Sequence, residues 1–190
     1  TSGPASLPCT ILHYPVTPEA SLGAEFENLG HTSGPADAPV TMIAFSDYQC
    51  LQCAFLAASL RQIRLTHPND VRIIYLHAPQ KNNDKDDLSI QAAEAADLQG
   101  KFWEMHDLLF QKLSEWSQLN PMDFETWVSS QATGLGLDAA QFQSDFQGPL
   151  VASRLQQSIQ FSSNQSFIPP LLFVNSTSPH IFSLAVCPHK

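Results

Sequence analysis

Hydrophobic positions change their period several times along this chain, and each change marks an element. Val40 to Ser46 contains the unbroken apolar run Met42-Ile43-Ala44-Phe45, which suits a strand covered on both faces and is too short for a core helix. Beyond Cys50 the apolar positions recur at steps of three and four, at Cys53, Leu56/Ala57, Leu60 and Ile63, the stripe of an amphipathic helix. That helix must stop before His67-Pro68, because a proline disfavours helical backbone in the residue before it. Val71-Arg72-Ile73-Ile74-Tyr75-Leu76 restores a β-rich run. Val40 to Leu76 therefore reads as a βαβ unit with parallel strands and a right-handed crossover.

Polar Gln80 to Asp87 forms a loop, and the texture from Leu88 to about Ser163 is helical. An Ala-rich stretch through Ala92, Ala93, Ala95 and Ala96 ends near Gly100, and Phe102, Met105, Leu109, Leu113 and Trp116 mark a second helix. Asn120-Pro121 is a cap followed by proline at the first helical position, opening a helix through Phe124, Trp127 and Val128. Asp138-Ala139-Ala140-Gln141 resembles a capping box for a short helix ending at Gly148, and Val151, Leu155 and Ile159 continue one more face. Leu171 to Val174 and Ile181 to Val186, separated by Asn175-Ser176-Thr177-Ser178-Pro179, read as a β-hairpin. Residues 1–39 form an extended arm punctuated by Pro4, Pro8, Pro15 and Pro18 and closed by the breaker cluster Thr32 to Pro39, so order is expected to begin after Pro39. Residues 40–190 then make one α/β domain with an inserted all-helical block at about 88–163, and no internal repeat is visible.

Composition narrows the function classes. The 190 residues are 43% hydrophobic and only 14% charged, enough apolar material for a core and too little charge for a disordered segment. A net charge of -9 and a pI near 5.0 exclude the basic footprint of nucleic-acid binding and disfavour anionic membranes. No apolar run approaches the roughly 20 residues of a transmembrane helix. The chain begins Thr1-Ser2-Gly3 without a Met or a leader pattern, so the expectation is a trimmed chain or a removed leader.

Four cysteines carry the candidate chemistry. Cys50-Leu51-Gln52-Cys53 is a C-x-x-C pair at the strand-to-helix junction, whereas Cys9 and Cys187 lie near opposite ends. A thiol attacks a disulfide only as thiolate, and at the ordinary pKa of about 8.5 only a small fraction is ionised at neutral pH. At a helix N-terminus, Cys50 meets unpaired backbone N–H groups and the positive end of the helix dipole, both of which favour the anion. Cys50 is thus the expected attacking sulfur, and Cys53, one turn later and partly covered, the resolving thiol. An inert disulfide and half of a zinc site are the competing readings. Zinc normally takes four ligands, and with no second C-x-x-C or H-x-x-x-H it would have to recruit distant Cys9, Cys187 or His189, so no metal is expected.

The order βαβ, helical insert, ββ, with C-x-x-C at the first junction, resembles the DsbA-like branch of the thioredoxin superfamily. The stretches that carry the resemblance run from about Gly34 to Asn175: Gly34 to Thr41 leading into Phe45-Ser46-Asp47-Tyr48-Gln49-Cys50, Gly100-Lys101-Phe102-Trp103-Glu104-Met105-His106-Asp107, and Ile168-Pro169-Pro170-Leu171-Leu172-Phe173-Val174-Asn175. The resemblance implies a thioredoxin fold and a thiol–disulfide oxidoreductase that exchanges disulfides with protein substrates through Cys50 and Cys53, without cofactor. It also implies a cis bond at Pro170, opposite the active cysteine, with the preceding residue offering backbone hydrogen bonds to substrate. Here that residue is Pro169, which has no N–H to donate.

Two more departures bear on activity. Relatives commonly place a buried acid where this chain has Ala44, and Ala44 can exchange no proton. Asp47, nearby in sequence, reads more readily as a solvated turn residue than as a proton relay. Between the cysteines, Leu51 supplies no side-chain hydrogen bond, although the Gln52 amide can donate to a thiolate. Weaker thiolate stabilisation and a less oxidising potential than in strongly oxidising relatives are expected.

Cys9 and Cys187 lie outside the core motif, and the even count together with the absence of the family's C-terminal helix points to a structural disulfide pinning the arm to the last strand. Phe102, Trp103, Trp116 and Trp127 fit helix packing, His77 and His106 read as structural histidines, and Asp84-Lys85-Asp86-Asp87 as a solvated loop and helix start. The resulting expectation is an exported, extracytoplasmic oxidoreductase whose redox partner, membrane-bound or soluble, the sequence does not name. A thioredoxin-fold binding or chaperone-like module with an inert cysteine pair is the alternative, favoured by Ala44, Leu51 and Pro169.

Overall fold

A computed structural model describes residues 10–14, 26–80, 83–164, 168–176 and 182–186. The parallel pair expected from the apolar runs lies in the interior of the sheet. Strand β3 (Val40–Ser46) aligns with β4 (Val71–His77) from Val40↔Val71 to Ser46↔His77, and helix α1 (Leu51–Thr66) makes the crossover. The hairpin of β5 (Leu171–Ser176) and β6 (Phe182–Val186) pairs antiparallel and adds β5 to the free side of β3.

Order begins earlier than Pro39, contrary to expectation. Within the arm, β1 (Thr10–Tyr14) pairs antiparallel with β6 and β2 (His31–Ser33) with β4, giving the six-stranded order β1-β6-β5-β3-β4-β2. The unpaired N–H and C=O groups along a sheet edge are the reason: each arm strand satisfies one edge of the four-stranded core sheet. A three-residue strand is too short to show a period. Phe26, also in the arm, packs edge-on to Phe45 and Phe161. Gly34 makes the turn out of β2 with φ +90°, and a Cβ there would lie 2.1 Å from the Val71 carbonyl oxygen, so only glycine fits.

The helical block comprises α2 (Asp86–Asp97), α3 (Phe102–Gln111), α4 (Leu113–Trp116), α5 (Pro121–Gly134), α6 (Ala139–Phe146) and α7 (Pro149–Asn164). The single helix expected from Phe102 to Trp116 breaks at Lys112, where the indole N–H of buried Trp116 donates to the Leu109 carbonyl at 2.7 Å. Both expected caps form: Asn120 Oδ1 accepts from the Asp123 N–H at 3.0 Å, and Asp138 Oδ1 from the Gln141 N–H at 2.8 Å. Trp116, Phe124, Val128 and Phe142 fill the block's interior together with Cys53 and Tyr75, while Ile43, Phe45, Ile74 and Leu76 form a second cluster with Phe161 and Phe173. The aromatics singled out are scaffold: Trp103 donates to the Thr32 carbonyl and lies under the Arg64 guanidinium, 4.2 Å from its ring centre, and Trp127 donates to Glu115.

Candidate active site

Strand β3 delivers the chain to a turn in which the Cys50 N–H donates to the Asp47 carbonyl at 3.3 Å. Cys50 leaves that turn in extended conformation (φ -92°, ψ 117°) and caps α1, its Sγ accepting the Cys53 N–H at 3.1 Å. Cys50 and Cys53 are joined in a disulfide, their Cα atoms 5.1 Å apart. Cys50 is half-buried and Cys53 fully enclosed, so only the first sulfur is open to attack. The first turn of α1 carries no acidic side chain to oppose an anion there. A Cys50 thiolate therefore inherits a backbone N–H and the positive end of a 16-residue helix.

Pairing of β5 with β3 brings the segment before Leu171 against the same turn, because Leu171 lies opposite Phe45. The Pro169–Pro170 peptide is cis, and the Pro169 carbonyl oxygen lies 3.9 Å from Cys50 Sγ. That carbonyl is the backbone hydrogen-bonding group Pro169 can offer, since its nitrogen bears no hydrogen. Gln52 Oε1 also lies 3.9 Å from Cys50 Sγ, and a half-turn of the carboxamide presents its NH2 instead. Leu51, Phe55 and Ile168 are exposed by 60%, 68% and 74%, apolar side chains on the two segments that flank the sulfur. Ala44 is buried with Leu60 and Ile73, so this strand position is apolar and offers no group that exchanges a proton.

Asp47 corrects an expectation. It is buried rather than solvated, and so are Lys85 and Asp86 of the loop read as a polar surface. Asp47 accepts from the backbone N–H groups of Gln49 (2.6 Å) and Gln80 (3.0 Å) and from the Asn83 side chain (2.9 Å). Asp86 shares two of those donors, Gln80 at 2.8 Å and Asn83 at 3.1 Å. Burial raises both carboxyls above their usual range, and the Asp47 charge adds to the effect on Asp86, which is pushed up to about 8. Two carboxyls this close cannot both ionise cheaply, so the pair retains a proton into the neutral range. Gln49, next to Cys50, latches the two loops together: its side chain donates to Asp84 and accepts the Lys85 N–H. An acid directly after an apolar strand was the available signal.

A second polar cluster was not foreseen because it draws His31 from the arm. Glu94 Oε1 is 2.8 Å from His31 Nε2 and 3.1 Å from His77 Nε2, while Arg154 Nη1 donates to Glu94 Oε2 at 2.9 Å and to Asp97 Oδ2 at 2.7 Å. Burial opposes ionisation of Glu94, but the hydrogen bonds from His31 and His77 outweigh it and hold the carboxyl well below its usual range. Burial lowers His77 and pushes His106 down to about 4; His106 packs at 4.5 Å from the Tyr75 ring and contacts Asp107. His106 sits as scaffold, enclosed by rings and beside Asp107.

A family model described as thioredoxin matches residues 27–165. The chain belongs to the thioredoxin family. Among solved structures, a thioredoxin-like oxidoreductase from Silicibacter pomeroyi DSS-3 aligns with TM-score 0.63 and 26% identity over 85% of this chain and 88% of that one. BdbD from Bacillus subtilis aligns with TM-score 0.65 and 20% identity over 78% and 83%, and α-DsbA1 from Wolbachia pipientis with TM-score 0.66 and 15% identity over 79% and 76%. These neighbours bear out the DsbA-like thioredoxin fold. Curated relatives include the Na(+)/H(+) antiporter NhaA 3 of Salinispora tropica, 32% identical over 152 residues (79% of this chain, 22% of the antiporter), and NhaA of Herminiimonas arsenicoxydans, 29% identical over 155 residues (82% and 22%). The thioredoxin-family chain thus spans about a fifth of the length of the curated relatives it matches. Cys9 and Cys187, the other expected pair, lie outside the described residues. No described helix is long and apolar enough to cross a membrane.

Proposed function

We propose that this chain is a thiol–disulfide oxidoreductase acting on protein substrates through Cys50 and Cys53. The observation that carries the reading is the asymmetry of the pair: Cys50 Sγ is accessible and takes the Cys53 N–H at the mouth of α1, while Cys53 is fully enclosed. A substrate thiolate attacks Cys50 Sγ, the bond to Cys53 breaks, and Cys53 leaves with the electron pair and takes a proton. The second substrate thiolate then attacks the substrate sulfur of the mixed disulfide, releasing Cys50 as thiolate. The substrate loses two electrons and the chain gains them; run backwards, the same steps reduce a substrate disulfide. The exchange needs no cofactor.

Exposed Leu51, Phe55 and Ile168 support extended, partly apolar protein segments as substrates, and the Pro169 carbonyl supplies a backbone acceptor beside the sulfur. A redox-active disulfide of this kind fits an oxidising, extracytoplasmic compartment, with a membrane-bound or soluble partner resetting it. Leu51 and Ala44 support a less oxidising potential than that of strong oxidants of the fold. The competing reading, a binding or chaperone-like module, rests on the same Ala44, Leu51 and Pro169. Redox titration against glutathione, combined with trapping of a disulfide-bearing unfolded protein by Cys53→Ser, separates the two. In that variant the Cys50 thiolate attacks the substrate disulfide, expels one substrate thiolate and has no resolving thiol to release the mixed disulfide. The oxidoreductase yields mixed disulfides on Cys50 that dithiothreitol releases; a Cys50 unreactive toward both glutathione and protein disulfides would leave only the binding module.

A further inference from the structure

We propose that His31, His77 and Glu94 form a binding site for a divalent transition-metal ion, with Zn2+ the fitting member of the class. One ligand atom from each residue lies within 4.8 Å of the other two, and the three come from β2, β4 and α2. The imidazole–carboxylate separations of 2.8 and 3.1 Å approach the roughly 3.3 Å edge of a tetrahedron built on Zn–N and Zn–O bonds of about 2.0–2.2 Å. Small side-chain shifts therefore admit an ion between them.

The surrounding contacts are those that orient ligands. His31 Nδ1 lies 3.4 Å from Asp97 Oδ1, which directs Nε2 toward the ion, the carboxylate–histidine–metal arrangement. Arg154 engages Glu94 through Oε2 and also holds Asp97, leaving Glu94 Oε1 for coordination. With neutral imidazoles, Glu94 and Asp97 against Arg154 leave one net negative charge to meet the cation. The three residues line a cavity of about 420 Å³ that Asn28, Thr32, Gln157 and Ser158 also line. Three protein ligands and space for a water or a small anion at the fourth position match the ligand set of open zinc sites. The sequence offered no metal signature, because His31 and Glu94 are 63 positions apart.

Isothermal titration of ZnCl2 into the full chain at pH 7.5, with the cysteines kept oxidised so that thiolates do not compete, tests the site. The expected result is one ion per chain with a dissociation constant in the micromolar range or tighter, weakened at least tenfold in His31→Gln and in His77→Gln. Co2+ added to the unmodified chain should give the visible bands of a four-coordinate N/O site, a readout that depends on no variant folding. Asp97→Asn should weaken binding less than the ligand substitutions. Absence of binding at 100 µM Zn2+, or a site that survives both histidine substitutions in folded protein, would overturn the assignment.

Discussion

Replacing Asp86 by Asn should remove a loss of stability that the unmodified chain suffers as pH rises through the neutral range. Asp86 faces Asp47 across the shared donors Gln80 and Asn83, and burial together with the Asp47 charge pushes it up to about 8. In the unfolded chain the carboxyl returns to about 3.9. Between those values the folded state holds a proton that the unfolded state has released, so stability falls as pH rises. One full proton corresponds to roughly 1.4 kcal/mol per pH unit. From pH 5.5 to 7.5 the loss is about 2.5 kcal/mol at most, and about 1 kcal/mol if water reaching past exposed Asp84 screens the pair. Lys85 does not neutralise Asp86, because its ammonium is held on Asp84 at 2.6 Å; Tyr75, raised chiefly by burial and further by the pair's charge, stays protonated throughout. The carboxamide that Asp86→Asn introduces keeps an acceptor for the Gln80 N–H and supplies a donor to Asp47. Urea unfolding of both proteins at pH 5.5, 6.5 and 7.5, disulfide intact, reads the difference, in which the histidine titrations common to both proteins cancel. A difference constant within about 0.5 kcal/mol across that range would refute the shared-proton reasoning.

Other predictions follow from single features. Thiolate absorbance near 240 nm should give Cys50 a pKa below that of a free thiol but not below about 5, since Leu51 adds no hydrogen bond to the one from the Cys53 N–H. Gly34→Ala should destabilise by more than about 2 kcal/mol, read as a fall in the urea midpoint, because the φ of +90° and the Val71 carbonyl both oppose a Cβ. Strands β1 and β6 pair as far as Thr10↔Val186, the sequence neighbours of Cys9 and Cys187. Non-reducing peptide mapping should find those two cysteines linked, a closure of up to about 4–5 kcal/mol in the chain-entropy account; free thiols in the air-oxidised protein would remove it.

Much of the frame was legible because it rests on local rules. Val40 to Leu76 is a βαβ unit by period alone, Asn120 and Asp138 cap helices by side-chain chemistry, and the cysteine pair takes its asymmetry from its place at the start of α1. The arm's strands were not legible, since pairing at an edge is decided by the sheet already present: His31–Ser33 is strand because β4 offers it a row of unpaired groups, not because of its own residues.

The buried acids were missed for a different reason, and α2 shows it. Its Ala92, Ala93, Ala95 and Ala96 are all 0% exposed, which lets neighbouring elements approach the backbone closely, and an Ala-rich stretch signals a helix without signalling a buried charge within it. Yet Glu94 sits inside that run and is only 3% exposed. A carboxylate amid fully buried alanines cannot be a solvated face; burying it unpaired would cost several kcal/mol, so partners of opposite character must converge on it from elsewhere in the chain. Those partners are His31, His77 and Arg154. Asp86, eight residues earlier on the same helix and so about 12 Å along its axis, is buried on other terms: it accepts from Gln80 and Asn83, and burial together with the Asp47 charge keeps it protonated into the neutral range. One helix therefore joins the turn that holds Cys50 to the histidine cluster, through two buried acids: Asp86, which opens it, and Glu94, enclosed by the alanines around it.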